Sequence, residues 1–170
     1  MKKTLLLLLI VLLLIPLSPN AKVNLSISSK KEVFSMLQNA FQVQVSLSEQ
    51  TRTEKEINDL LDPYFSERYQ KLFWDENVFE EEGKFVTYGS DFALYYIPFF
   101  HYSDETKMNT SKDSIYVFEF FPANSDGPVG WEDHYEGILL KKENGGWKID
   151  KYLYNNIPDF ILEKAKSTYK

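Results

Sequence analysis

The sequence contains no cysteine. That removes disulfides, thiolate zinc sites, iron–sulfur clusters, thiol nucleophiles and a lipidated lipoprotein cysteine together. Histidine occurs twice, as His101 and His134. Positive charge is in deficit: 19 Lys and Arg face 25 Asp and Glu, with no basic run. Phosphate contacts need clustered Lys and Arg, so nucleic acid is excluded as a partner, and so is adhesion to an anionic membrane surface. The chain also lacks a phosphate loop, an H-E-x-x-H helix, an EF-hand loop and a G-x-S-x-G elbow. With no metal motif and no phosphate loop, the sequence calls for no cofactor.

An apolar run does occur at the start, but it is short. Lys2 and Lys3 precede Leu5 to Leu17, which only Pro16 interrupts, and Ser18, Pro19, Asn20 and Ala21 follow. A basic start, a greasy core and a small-residue exit spell a secretory signal peptide over 1–21. The core falls short of the ~20 apolar residues a membrane span requires. Pro19 departs from the A-x-A pattern, and an uncleaved anchor is the alternative. The expectation is a secreted or cell-surface protein with no stable membrane span after cleavage. Loss of Lys2 and Lys3 would leave the mature chain more acidic than its full-length net charge of −6. Residues 22–33 read as an exposed lead and the start of a first helix, 34–165 as a single domain, and 166–170 as a tail.

Aromatic residues are abundant, at 16% of the chain. Buried rings remove large apolar areas from water and supply the cohesion that disulfides do not. Ser29 with Glu32, and Thr53 with Glu56, form S/T-x-x-E capping boxes. The first opens a helix with Phe34, Leu37, Phe41 and Val45 on one face, and the second opens a helix with Ile57, Leu60 and Leu61 apolar. Pro63 ends that helix, and Ser66 caps a third through Trp74, with Tyr69, Leu72 and Phe73 as its buried edge. After Gly83 the pattern changes. "FALYYIPFF" reads as a buried strand broken by Pro98. "DSIYVFEFF" reads as a strand with Ile115, Val117, Glu119 and Phe121 on one face. "DHYEGILLKK" and "GWKIDKYLY" form two more, joined by a hairpin turn at "ENGG". Residues from Ile157 onward close the chain as a helix, and "EEEGK" is a charged turn. Helices first and antiparallel strands after predict an α+β domain with helices packed on one face of a curved sheet.

"ENGGWKIDKYLYN" resembles the closing hairpin of the nuclear transport factor 2-like superfamily, in which leading helices lie in the concave side of a bent, cystatin-like antiparallel sheet. "QVSLSEQTRTEKEINDLLDPYF", "YGSDFALYYIPFF" and "YVFEFFPANSDGPVGWEDHYEGILL" resemble an uncharacterised family of exported proteins from Bacillus-type bacteria, over Phe34 to Ala165. The resemblance implies a cone-shaped fold and export from a Gram-positive cell. It carries no catalytic residues.

On a strand Glu132, His134 and Glu136 share one face, with Ile138 and Leu140. If that face lines a pocket, His134 can act as a general base with Glu136 or Asp150 as its orienter, in a cofactor-free lyase, isomerase or hydrolase. If the face is packed or solvated, the histidine is structural. Glu132, His134 and Glu136 also carry metal-ligand atoms, but the pattern is too sparse to predict a metal site. Ser90 beside Asp91 is a turn rather than a nucleophile. The aromatic run exceeds what one strand buries on one face. Tyr95, Tyr96, Phe99 and Phe100 are therefore the candidates for binding a small apolar ligand, a peptide or an envelope protein, and a homodimer through the sheet stays open. The sequence favours a non-enzymatic binding module over the enzyme centred on His134.

Overall fold

The computed structural model describes residue 27 and residues 29–89, 93–126 and 130–167. The signal segment, Ser90, Asp91 and Phe92 lie outside the described residues. Both capping boxes close as their sequences require. Ser29 Oγ accepts from the Glu32 amide at 3.3 Å, and the Glu32 carboxylate accepts from the Ser29 amide at 3.0 Å. Thr53 and Glu56 repeat the exchange. They start helices α1 (Lys30–Ser46) and α2 (Glu54–Leu61), and Ser66 caps α3 (Glu67–Asn77), which runs one turn beyond Trp74.

The buried stripe of α1 differs from the expected one. Val33, Met36, Leu37, Ala40 and Gln44 are buried, whereas Phe34 and Phe41 are half-buried and Val45 is exposed. The smaller side chains face the core, and the large rings lean out over its rim. The described strands are β1 (Val78–Glu81), β2 (Lys84–Thr87), β3 (Lys107–Thr110), β4 (Ser114–Phe121), β5 (His134–Glu143) and β6 (Gly146–Tyr154), followed by helix α4 (Asp159–Ser167). β1 and β2 form a separate hairpin, with the charged turn at its tip. β3 to β6 form one antiparallel sheet in sequential order. The "ENGG" turn closes with Asn144 and Gly145 both at positive φ, the twist-matched geometry of a two-residue hairpin.

The protein is thus α+β, and its four-stranded sheet separates two clusters. Ile115, Val117, Ile138, Leu140 and Ile149 join Val33, Leu37, Ile57, Tyr69 and Phe73 in one. Phe118, Leu139 and Leu153 join Ile157 and Ile161 in the other. Burying each such side chain contributes roughly 1.5–3 kcal/mol. A β-bulge in β6 shifts the register, so Leu139 faces Lys151 while Leu140 faces Ile149. The extra residue is Asp150. Beside it, Ile149 donates to Tyr64 O at 2.8 Å and accepts from Ser66 N at 2.9 Å, fixing the α2–α3 corner to the sheet.

The run expected as a strand through Pro98 is not one. Residues 93–100 form a turn followed by irregular backbone. Tyr95 takes a left-handed φ of 65°, which breaks an extended run. The backbone of this segment bonds to buried side chains instead of a neighbouring strand.

Candidate functional site

Those side chains come from three elements. Asn77 Nδ2 donates to Leu94 O at 2.9 Å. Gln44 Nε2 donates to Tyr95 O at 2.7 Å, and its Oε1 accepts from the Ile97 amide at 2.9 Å. Tyr69 Oη donates to Tyr95 O at 3.0 Å. Burial, aided by Tyr152 and Tyr95, holds the Tyr69 hydroxyl well above the usual tyrosine range, so it stays a donor. Farther on, the His101 amide donates to Glu119 Oε2 at 3.1 Å. Buried backbone groups need such partners, and these specify one path for an irregular segment.

That path makes one wall of a cavity of about 660 Å³. Phe41 and Val45 of α1 and Tyr96, Ile97, Pro98 and Phe99 of the segment meet Glu136, Tyr152 and Tyr154 of the sheet there. Exposed Val45, Leu94, Phe99 and Tyr154 frame the mouth. Phe99, 60% exposed, packs edge-on against Phe41 at 5.4 Å. The same two rings border a second hollow of about 380 Å³ with Phe100 and Tyr102.

Glu136 is the acidic residue among the described lining side chains. Its Oε1 lies 3.1 Å from His134 Nε2, and His134 Nδ1 lies 2.7 Å from Glu132 O. A carbonyl only accepts, so Nδ1 carries hydrogen, and the bond to Glu136 needs one further proton between the two side chains. The imidazole is 6% exposed, stacked between Phe121 at 5.4 Å and Tyr154 at 5.0 Å. Burial first, and then the charge and hydrogen bond of Glu136, push the Tyr152 hydroxyl well above its ordinary range. Tyr152 therefore keeps its proton beside the carboxylate. The chemical arrangement is a carboxylate facing an aromatic cavity, held from behind by an imidazole, with a phenol beside it.

The residues expected from sequence are distributed unequally. His134 and Glu136 are brought together, but the carboxylate faces the cavity and the imidazole is packed. Asp150 stands apart. It accepts from Ser66 Oγ at 3.1 Å and lies 3.7 Å from Lys141 and 3.9 Å from Arg68. It is four residues from Tyr154, the cross-strand partner of Glu136. Tyr96 and Phe99 line the larger cavity and Phe100 the smaller, whereas Tyr95 packs edge-on between Tyr69 and Tyr152. Glu132 contributes its carbonyl to His134.

Four contributors escaped the sequence reading. Tyr152 and Tyr154 were hidden by the bulge: the turn alone would set Glu136 opposite Leu153, and only the extra residue in β6 brings Tyr154 opposite Glu136 and Tyr152 opposite Ile138. Gln44 carried a weaker signal, a polar residue at the core-facing end of α1. Glu119 is the fourth, lying directly across the β4–β5 ladder from Glu136. It is 1% exposed, accepts from Thr106 Oγ1 at 2.7 Å, and pairs with His101 Nδ1. That hydrogen bond, then the charge of Glu119, raises the His101 imidazole above its usual range. Ligand atoms of His101, Glu105 and Glu119 lie within 4.8 Å of one another, a donor set suited to a divalent cation. The hydrogen bonds to Thr106 and the His101 amide already account for the buried carboxylate.

No curated protein matches the chain. A family model described as "Protein of unknown function (DUF3993)" matches residues 29–121, from the first capping box to the end of β4. This range covers α1 to α3 and the irregular wall, while Glu136, Tyr152, Tyr154 and α4 lie beyond it. The match takes in more than half of the 170 residues, and the chain therefore belongs to this family of proteins of unknown function.

Proposed function

We propose that the protein is an exported, non-enzymatic binding module that takes a small apolar molecule into the cavity between α1, the irregular segment and β5–β6. The reading rests on one observation: rings and aliphatic side chains line most of a ligand-sized cavity, with a single carboxylate among them. A cone of the nuclear transport factor 2 type, with the leading helices in its concave side, would place such a cavity at its open end. Export follows from residues 1–21 read as a signal peptide, and the site of action would be the Gram-positive cell envelope. Among the described residues no helix is long and apolar enough to cross a membrane.

The test is saturable binding of an environment-sensitive apolar dye to the mature protein. Val45→Trp narrows the mouth from an exposed position, so it should weaken dye binding about tenfold or more without lowering the melting temperature. Equal binding by the two proteins, or none by the wild type, would refute the reading.

The 3.1 Å bond between His134 and Glu136 favours a second reading, acid/base catalysis, with roles reversed from the sequence expectation. Glu136 would be the base and His134 its orienter. Deuterium exchange into small carbonyl compounds, lost in Glu136→Gln, would support it.

A further inference from the structure

Building on the proposed cavity, we infer that its ligand is a cationic amine carrying an apolar body. Three features of the lining select this class. First, Glu136 is the charged side chain among the described residues that line the cavity. A carboxylate offers about four lone-pair sites. The bond to His134 takes one, leaving acceptor capacity toward the cavity. Second, Phe41, Tyr96, Phe99, Tyr152 and Tyr154 surround the same space. The faces of such rings carry negative potential and attract ammonium groups. Third, the imidazole behind Glu136, His134, does not line the cavity. The ring of Tyr154 stacks on it, and both its nitrogens are committed to Glu132 and Glu136.

Glu119, directly opposite Glu136 on β4, is paired with His101 and leaves Glu136 to set the sign of the cavity. An anionic ligand would meet a carboxylate and five aromatic rings with no donor cation among the described lining. A neutral apolar ligand would fit the walls but leave the acceptor capacity of Glu136 unused.

Three matched probes separate these cases by calorimetry on the mature protein near neutral pH: phenylpropylammonium, phenylpropanol and phenylpropionate. The ammonium should bind about tenfold more tightly than the alcohol, and the carboxylate most weakly. Added salt should weaken the ammonium and leave the alcohol unchanged. In Glu136→Gln the ammonium should lose its advantage over the alcohol and its sensitivity to salt. The wild-type probe order and its salt dependence stand as the test if that variant folds poorly. Equal affinity of ammonium and alcohol for the wild type overturns the cationic assignment and leaves the apolar cavity in place. Failure of all three to bind overturns both.

Discussion

Gln44 offers the sharpest test of how the cavity wall is held. Its side chain is fully buried, donating to Tyr95 O and accepting from the Ile97 amide. Gln44→Leu keeps the approximate volume and deletes both bonds. Tyr95 O still has the Tyr69 hydroxyl, so its loss is small. The Ile97 amide is buried, and an orphaned buried donor costs about 1–3 kcal/mol. Tyr69→Phe removes one bond from a carbonyl that keeps Gln44, which costs about 0.5–1.5 kcal/mol. The double variant leaves Tyr95 O with neither donor. Its loss should exceed the two single losses together by about 1 kcal/mol, the coupling expected of groups that share a partner. Urea unfolding followed by circular dichroism, extrapolated to water, gives all three values. Gln44→Leu should be the costlier single change, and it should weaken dye binding because the wall it loosens lines the cavity. Strict additivity, or a Tyr69→Phe cost equal to that of Gln44→Leu, would refute the bracket.

Other consequences follow from the same structure. In Gly137→Ala the added Cβ would lie 2.7 Å from Ile157 Cδ1 and 3.0 Å from both Phe118 Cβ and Val117 O. The Ile157 methyl can move but the strand cannot, so calorimetry should show a loss of about 1–3 kcal/mol; an unchanged melting temperature would contradict that packing. His101 has its imidazole raised above 6.5 by Glu119, so its stabilisation is complete below that pH and is lost as pH rises through the folded value. The wild type should therefore lose more thermal stability than His101→Gln between about pH 6 and 9, and an equal or smaller loss would remove the pairing as a stabilising term. The ring is largely exposed, so the difference should be modest. In a secreting Gram-positive host, the protein in the medium should begin near Lys22 by mass spectrometry; membrane-held protein retaining residues 1–21 would favour the anchor instead.

The capping boxes, the "ENGG" hairpin and the alternation of β4 were legible because each is a local rule. A cap satisfies amides three residues away, a two-residue turn needs its own φ values, and strand parity follows from the pleat. Local rules failed at residues 93–100. There the composition promised a strand, while the hydrogen-bond partners stood far along the chain on α1 and α3. The hairpin β1–β2 and strand β3 were missed for a related reason, since four-residue strands carry too little pattern to be read alone.

The sequence by itself therefore determined the α+β order, the helix starts, the closing hairpin and the pairing of His134 with Glu136 on one face. The tertiary structure alone decided which of that pair meets the cavity, that Asp150 belongs to the α2–α3 corner, and that an irregular aromatic segment forms the wall. The physical reason is one of range. Caps, turns and strand parity are satisfied within a few residues, whereas burying Gln44, Glu119 and His134 requires partners that only the folded chain brings within reach.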